Sequence, residues 1–314
     1  MLLALLSRLL RALFVLVGVS VVVFALLKLA PGDTAAALLG PIASEEAKAI
    51  LRSELGLDRP VWVQYLSWMG SLIRGDFGVS LVSRNPVLDE VLPRFGNSAL
   101  LALVALLLAL AVGLGVGIAA AERKNGPFDR LSMGGVQVVG ALPPFWLGLV
   151  LVYVFALSLR WLPATGMTKA YGGGDFQDVF LHLILPAVTA AAAPAAVIVR
   201  MVRAAFLEVL SQDYVQVALA RGAGRRRIRF RHVLPNCLPP ILTIVGLQLG
   251  YLIGSALFTE IVFAWPGIGQ LLYQAILGRD VALVQGCVLF IALAFVLVNL
   301  AVDLANEAIA AQRS

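Results

Sequence analysis

One polar segment, residues 206–237, interrupts an otherwise apolar sequence and carries the residues best spaced to contact a partner protein. Four of them follow the i, i+3, i+4, i+7 spacing of a single helix face: Tyr214, Val217, Ala218 and Arg221. Gly222 and Gly224 come next, and glycine adopts positive φ angles without penalty, so the pattern predicts that the helix stops and the chain turns here. We expect Ser211 or Asp213 to cap the start of this helix.

A strongly basic stretch follows the glycines. Its arginines are Arg225, Arg226, Arg227, Arg229 and Arg231. The spacing predicts a second short helix from about Arg225 to Leu234, with Pro235 at the start of the next membrane helix. Two short helices at an angle would suit a socket on another protein. An anchor to anionic lipid is favoured for the arginines over ion pairs with a partner, and a structural hydrogen-bonding role is favoured for His232 over catalysis or metal binding.

The usual motifs of catalysis and nucleotide binding are missing from the sequence. There is no G-x-x-x-x-G-K-[ST] pattern to hold ATP phosphates, no H-E-x-x-H pattern and no pair of membrane aspartates. Cys237 and Cys287 show no metal-ligand spacing, and their runs place them near opposite membrane faces, so no disulfide is expected between them. We therefore expect this chain to bind no metal or cofactor and to carry no catalytic site.

The composition places these segments in a membrane. Of the 314 residues, 61% are apolar and 13% are charged, and the mean hydropathy is +0.94. A soluble domain is about half apolar and about a quarter charged, so a disordered chain, a disulfide-stapled module and almost any soluble enzyme are excluded. The net charge of +6 could suggest a nucleic-acid partner. The basic residues lie in short loops between apolar runs, however, which is typical of cytoplasmic loops in membrane proteins.

Six apolar runs are each long enough to cross, or almost cross, a bilayer. They cover residues 12–27, 98–121, 131–159, 183–199, 238–263 and 281–302. The first could be a signal peptide, but no clean small-x-small cleavage site lies near Pro31, so we interpret it as a retained helix. The distribution of Lys and Arg puts both termini in the cytoplasm. The predicted fold class is an all-α integral membrane protein with six transmembrane helices, N-in and C-in.

The third run has two prolines in its middle. As one helix, residues 131–159 would extend about 43 Å, whereas the hydrocarbon core is ~30 Å thick. Because Pro143 and Pro144 each remove a backbone donor, we expect a bent or broken helix. Two interpretations are open, and neither is favoured. Pro143, Pro144 and Phe145 either line a translocation pathway or only kink the helix for packing. Gln248 in the fifth run either faces that pathway or bonds to a neighbouring helix, and the second is favoured.

Residues 31–97 form a predicted extracytoplasmic insertion after the first helix. Ser44, followed by two glutamates, is a good helix start, and Gly56 is a good stop. Pro60 can open a second helix. An apolar stripe on this second helix is expected to pack on the membrane domain: Val63, Leu66, Met69, Leu72 and Ile73. The predicted organisation is a helix in 1–30, this insertion in 31–97 and a five-helix core in 98–314 that includes the 206–237 loop.

The polar loop resembles the coupling loop of ABC-importer permeases, which has the pattern E-A-A-x3-G-x9-I-x-L-P. Four positions match the pattern literally: Ala218, Gly222, Leu234 and Pro235. Gln216, Val217 and His232 depart from it. The fuller string DYVQVALARGAGRRRIRFRHVLPN is similar to that of the B-type permeases of dipeptide, oligopeptide and nickel ABC importers. Further strings resemble the same subfamily in the same order, at residues 56–81, 142–166, 259–280 and 298–309.

The resemblance implies a division of labour among subunits in the bacterial cytoplasmic (inner) membrane. The chain would pair with a second permease as a heterodimer above two cytoplasmic ATPase subunits, which bind ATP and Mg. An extracytoplasmic solute-binding protein would deliver the substrate. Membrane lipid would surround the chain, and no nucleic-acid partner is expected. The residues implied in coupling to the ATPase are Tyr214, Val217, Ala218, Arg221, Gly222, His232, Leu234 and Pro235. Glu260, near an outer helix end, would be either a contact for the delivery protein or an exposed carboxylate.

The implied function is that of a permease subunit forming half of the translocation pathway for peptides or similar small solutes. The spans contain no His, Cys or Met cluster for nickel, which favours peptides. Nickel, opines and other small solutes stay open, because a permease need only pass its cargo. The alternative is an ion-coupled secondary transporter, which an acidic residue deep in a span or an inverted repeat would favour, and neither is seen. A membrane scaffold without transport also stays open.

Overall fold

The computed structural model describes residues 2–29, 43–54, 56–169 and 171–311. Pro31 and the beginning of the predicted extracytoplasmic insertion lie outside the described residues. The helices, in chain order, are α1 (Leu2–Leu29), α2 (Glu45–Glu54), α3 (Val61–Ile73), α4 (Val87–Glu122), α5 (Pro127–Ala141), α6 (Pro144–Leu151), α7 (Phe176–Leu210), α8 (Asp213–Ala220), α9 (Leu234–Val262), α10 (Ile268–Leu277) and α11 (Val281–Ala311). Within the described ranges, extended backbone meets only at one isolated bridge, between Val79 and Pro86.

Five helical segments are long and apolar enough to cross a membrane. They are Leu6–Leu29, Val87–Glu122, Phe176–Leu210, Ile228–Val262 and Val281–Ala305. The pair Pro127–Ala141 and Pro144–Ser158 provides a sixth span if its two parts are counted as one. The predicted all-helical membrane fold with six apolar runs is therefore confirmed. The second span starts at Val87 rather than at Ser98, because its acidic first turn extends the helix beyond the apolar run.

The described residues group into two compact units. The first consists of Met1–Asn97 and Pro266–Val296, and the second of Ser98–Trp265 and Leu297–Ser314. The core of the first unit is formed by α1, the beginning of α4, α10 and the beginning of α11: Val23, Val87, Val91, Ile268, Leu271, Ala275, Leu283, Val284 and Cys287. Gly286 allows α11 to approach α4 closely, since a Cβ atom there would lie 2.4 Å from Val87 Cγ1.

The extracytoplasmic helices begin and end largely where the sequence predicts. The Ala47 N–H donates to Ser44 Oγ at 3.2 Å, so Ser44 caps α2 as expected. Gly56 has a φ of +65° just beyond the end of that helix, and α3 begins directly after Pro60. Both predicted helices of this segment are confirmed.

The face of α3 that packs on α1 differs from the predicted aliphatic stripe. Leu66 and Ile73 from that stripe are 59% and 81% exposed. Two aromatic residues pack on Phe24 of α1 instead, with ring centroids 5.4 Å away for Tyr65 and 5.8 Å away for Trp68. The stripe prediction is therefore wrong for Leu66 and Ile73, whereas Val63, Met69 and Leu72 are half-buried. The aromatic residues were missed because the pattern counted only aliphatic ones, although large amphipathic rings bury more area.

In the second unit, glycines allow α4 to lie against α7. A Cβ atom at Gly113 would lie 2.3 Å from Ile198 Cγ2, and one at Gly117 would lie 2.9 Å from Val202 Cβ. The same unit corrects the expectation for Glu260, which is fully buried rather than exposed. Ser98 Oγ donates to Glu260 Oε1 at 2.5 Å. Because Glu260 is shielded from solvent, its carboxylate depends on a protein donor.

The third apolar run is broken at its prolines, as predicted. The axes of Pro127–Ala141 and Pro144–Ser158 differ by 102°. Leu142 and Pro143 have ψ angles of 132° and 131°, so the chain is extended over these two residues before Pro144 opens α6. After Leu151 the helix continues as a π-helix over Val152–Ser158.

Candidate functional site: the loop between α7 and α9

Helix α8 ends in a Schellman motif that is built around Gly222. The Ala223 N–H donates to the Ala218 carbonyl at 3.1 Å, and the Gly222 N–H donates to the Leu219 carbonyl at 2.9 Å. Gly222 has a φ of +79°, and a Cβ atom there would meet nothing within 4 Å. The need for glycine is therefore conformational and not steric. The predicted turn is present at Gly222, whereas Gly224 does not adopt a positive φ.

The predicted cap of α8 is wrong. Gln212 occupies the N-cap position and makes no capping hydrogen bond with its side chain. Ser211 Oγ donates to the Glu208 carbonyl at 2.7 Å, so the preceding turn of α7 already uses this hydroxyl. Asp213 is the first helical residue, where a carboxylate interacts favourably with the helix dipole.

The two faces of α8 have different surroundings. Val215 is fully buried in one cluster with Phe206, Ile228 and Val233, so it fastens α8 to the rest of the unit. Val217 on the other face is 49% exposed. Sequence reasoning missed Val215, although its spacing from the half-buried Ala218 is that of one helix face. Three of the predicted coupling residues instead face solvent: Tyr214, Val217 and Arg221.

Tyr214 and His232 meet through the backbone of His232. Tyr214 Oη donates to the His232 carbonyl at 3.4 Å. Asn236 Nδ2 donates both to that carbonyl, at 2.7 Å, and to Tyr214 Oη, at 2.9 Å. Asn236 therefore joins α8 to the beginning of α9, and sequence reasoning did not single it out. Its signal was weak, because an asparagine directly after Pro235 is also typical of a plain loop.

The predicted helix over about Arg225–Leu234 is present, but it is not separate, because its residues continue without a break into the next membrane helix. Arg225–Arg227 form one α-helical turn, Ile228–Val233 form a π-helix, and α9 follows directly. The Leu234 N–H donates to the Arg229 carbonyl, five residues earlier. This wider turn accommodates Pro235, which has no N–H to donate and lies in the first turn of α9. Leu234 and Pro235 are both half-buried.

Two arginine–carboxylate pairs tie this region to other helices of the unit. Arg229 forms a bidentate pair with Glu122, the last residue of α4, in which Arg229 Nε donates to Oε1 at 2.5 Å and Nη2 donates to Oε2. Arg203 donates to both carboxylate oxygens of Asp129, at 2.6 Å and 2.7 Å. Asp129 is 3% exposed and also accepts the Asn125 N–H at 2.9 Å. Neither pair could be found from sequence spacing, because its partners lie far apart along the chain.

The predicted pathway residues lie in two places of the second unit. Pro143, Pro144 and Phe145 follow one another at the bend between α5 and α6, and Phe145 is 49% exposed. Gln248 lies within α9 and is half-buried. Close packing begins one turn beyond the bend, since a Cβ atom at Gly148 would lie 3.2 Å from Phe263 Cε2. A role of these four residues in a pathway stays a prediction.

Titratable side chains do not gather into a metal site in the part of the chain that the structure describes. No group of three or more His, Cys, Asp or Glu residues there could hold an ion. Cys237 and Cys287 are buried free thiols.

Comparisons with known proteins agree with this arrangement. Residues 113–313 match the family described as binding-protein-dependent transport system inner membrane component, and residues 1–102 match its N-terminal membrane component. The chain is 40% identical to the dipeptide transport system permease protein DppB of Alkalihalophilus pseudofirmus, over 95% of each chain. It is 39% identical to the glutathione transport system permease protein GsiC of Escherichia coli, over 96% of each chain.

The fold is also similar to that of a solved transporter. A chain of the MetNI methionine ABC transporter in an inward-facing conformation aligns with a TM-score of 0.60 at 19% identity, covering 71% of this chain and 97% of that one. These findings support the permease interpretation over the ion-coupled secondary transporter. The chain belongs to the family of binding-protein-dependent transport system inner membrane components, and it is a multi-pass permease subunit of the bacterial inner membrane with the ABC-importer fold.

Proposed function

We propose that this permease forms half of the translocation pathway for peptides or small peptide-like solutes, and that α8 couples it to an ATPase subunit. A second permease subunit forms the other half, two cytoplasmic ATPase subunits bind ATP and Mg, and an extracytoplasmic solute-binding protein delivers the substrate. The relatives named for dipeptide and glutathione transport support the substrate class. The chain itself binds no cofactor and performs no catalysis in this proposal.

The observation that carries the coupling proposal is the exposed apolar face of α8. Tyr214 and Val217, three positions apart on one face of the helix, are 46% and 49% exposed. Apolar side chains on a short surface helix are stabilised when a partner covers them. Val215, buried beneath them, keeps this face in a fixed orientation. The helix therefore suits a groove on the ATPase, with Arg221 and Gly222 at the end of the contact.

Movement of α8 reaches the membrane helices through its own fixed contacts. Val215 shares its buried cluster with Phe206 of α7 and Ile228 at the beginning of the α9 segment. The bidentate pair of Arg229 with Glu122 adds α4 to the same group. Closure of the ATPases would thus displace α4, α7 and α9 together. Pro143, Pro144 and Phe145, at the break between α5 and α6, are the proposed pathway residues, together with Gln248.

The coupling proposal is tested by retention of the ATPase subunit on variants of Val217. The tagged chain is purified from native membranes in a mild detergent, and its partners are identified by mass spectrometry. Val217→Glu places a charge on the exposed face and is expected to lose the ATPase while keeping the second permease. Val217→Thr has almost the same shape and serves as the control that keeps both. Full retention of the ATPase by Val217→Glu would refute docking through this face.

The substrate class is tested separately by uptake in cells. A strain lacking the chain is compared with the complemented strain for accumulation of a labelled dipeptide, labelled glutathione and Ni²⁺. We expect the loss to affect the dipeptide or glutathione and to leave Ni²⁺ uptake unchanged. Loss of Ni²⁺ uptake alone would contradict the peptide assignment without affecting the coupling proposal.

A further inference from the structure

A cavity of about 600 Å³ lies within the unit formed by Met1–Asn97 and Pro266–Val296. Its walls come from the end of α1, the end of α2 and the segment after it, one side of α3, the loop before Val82 and the first turns of α11. The volume is within the range of sites that bind small organic ligands. None of the residues predicted for coupling or for the pathway lines this cavity.

Positive charge dominates the polar part of the lining. Among the described lining residues, the charged ones are Lys28, Arg52, Arg59 and Asp76, which makes three cations against one carboxylate. Gln64 holds the ammonium group of Lys28, because its Oε1 accepts from Lys28 Nζ at 2.5 Å, and its Nε2 donates to the backbone carbonyl of Arg59 at 2.7 Å. Asp76 Oδ1 accepts the Gly78 N–H at 2.9 Å. The cavity therefore favours an anion.

One side of the lining is apolar and joins an exposed apolar surface of α1. Phe24 and Trp68 stack in the wall with ring centroids 5.8 Å apart, and Leu27 lies beside them. Leu26 and Leu29 on the same end of α1 are 61% and 79% exposed. Since α1 is one of the apolar spans, this exposed surface is covered by acyl chains in a membrane.

We propose that the cavity binds an anionic phospholipid, with its phosphate among Lys28, Arg52 and Arg59 and its acyl chains along the end of α1. Guanidinium groups bind phosphate oxygens with paired, charge-assisted hydrogen bonds. Lys28 ends a membrane helix, at the level where lysine reaches the interface. A soluble anion would use the cations alone and leave the wall of Phe24, Leu27 and Trp68 uncovered. A lipid satisfies both parts of the lining.

Trp68 provides a local probe for the test. The full chain, with any subunits that co-purify, is placed in phosphatidylcholine nanodiscs that contain brominated phosphatidylglycerol or, in parallel, brominated phosphatidylcholine. Bromine quenches nearby tryptophan, and the signal of Trp68 is obtained by difference from Trp68→Phe. We expect stronger quenching by phosphatidylglycerol than by phosphatidylcholine. The double variant Arg52→Gln/Arg59→Gln is expected to lose this preference, because each interfacial cation that is removed lowers the affinity for the anionic lipid roughly fivefold.

Two controls separate the site from general charge and from folding defects. Arg74→Gln/Arg84→Gln changes the net charge equally on exposed residues outside the lining and is expected to keep the preference. Arg52→Lys/Arg59→Lys keeps the positive charge and is expected to retain most of the preference for phosphatidylglycerol. Equal quenching by both lipids on the intact chain, or an unchanged preference in the double glutamine variant, would overturn the proposal. Loss of the preference on adding millimolar inorganic phosphate would show that the cavity binds a soluble anion, and it would overturn the proposal of lipid binding.

Discussion

Arg229 and Glu122 form a bidentate ion pair that joins the helical segment leading into α9 to the last residue of α4. A carboxylate at the carboxyl end of a helix is unfavourable, because the helix dipole places partial negative charge there. The guanidinium of Arg229 offsets this cost with two parallel hydrogen bonds. The side chains are 35% and 32% exposed, so the pair is worth more for the geometry it imposes than for stability.

Reversing the charge of Arg229 is expected to uncouple transport from ATP hydrolysis. In Arg229→Glu two carboxylates face each other, and α4 no longer follows the loop. The amount of substrate moved per ATP hydrolysed in proteoliposomes is expected to fall several-fold, while stability falls by no more than about 1 kcal/mol. The double variant Glu122→Arg/Arg229→Glu restores the pair and is expected to recover most of the ratio.

Arg231→Glu is the matched control for this prediction, because it makes the same charge change on an exposed residue two positions later. It is expected to leave the coupling ratio nearly unchanged. A double variant that performs no better than Arg229→Glu alone would show that the ion pair does not carry the coupling.

Loss of Arg203 is expected to destabilise the protein much more than loss of Arg229. The Asp129 side chain is only 4% exposed, and Arg203 donates to both of its oxygens. Arg203→Ala leaves a buried carboxylate without its counter-ion, which costs about 3 kcal/mol or more. The unfolding temperature of Arg203→Ala in detergent is expected to fall by several degrees. The double variant Arg203→Ala/Asp129→Asn is expected to recover part of this loss, because it removes the buried charge. Arg200→Ala, on an exposed residue of the same helix that bonds only to Gln137, is the control expected to stay near the parent.

Close packing between α4 and α7 gives a steric prediction. A Cβ atom at Gly113 would lie 2.3 Å from Ile198 Cγ2, whereas one at Gly115 in the same helix would meet nothing within 4 Å. Gly113→Ala is expected to lower stability by about 1–3 kcal/mol because it overpacks the contact. Gly115→Ala is expected to be neutral or slightly stabilising. Thermal unfolding of the two variants is measured side by side. Equal stabilities would contradict the close approach of α4 and α7.

Residues that act through their own backbone were predictable from the sequence. Pro143 and Pro144 break the third run because proline fixes its own φ angle and has no N–H to donate. Gly222 turns the chain because glycine adopts a positive φ angle without penalty. The helix starts and stops of the extracytoplasmic segment follow from local hydrogen bonds for the same reason. Local chemistry is therefore enough to locate the breaks between elements.

Residues whose role depends on distant neighbours were not predictable in this way. Glu122 and Arg229 are separated by 107 positions, and only the fold brings them together. Val215 looks equivalent to Val217 in the sequence, yet one is buried and the other exposed. Pro235 lies in the first turn of α9 as predicted, but the π-helix that joins this turn to the preceding helical residues was not foreseen. Tertiary packing decided each of these cases, and an apolar pattern alone does not encode it.

The turn after α8 provides the sharpest test of the coupling loop, because it offers two glycines in one short segment. Gly222 has a φ of +79° and Gly224 does not have a positive φ, while a Cβ atom would meet nothing within 4 Å at either position. Gly222→Ala therefore adds backbone strain alone, at a cost of about 1–2 kcal/mol. The variant is expected to unwind the end of α8 and to retain less ATPase after purification, with a several-fold lower coupled ATPase rate.

Gly224→Ala adds the same methyl group without the strain, so its ATPase retention and coupled rate are expected to match those of the parent. Equal behaviour of the two alanine variants would mean that the angle set by the Schellman motif does not matter for the partner. A defect confined to Gly222→Ala would instead locate the coupling surface on the face of α8 that this turn orients, because the added methyl group itself contacts nothing and only the backbone conformation is strained.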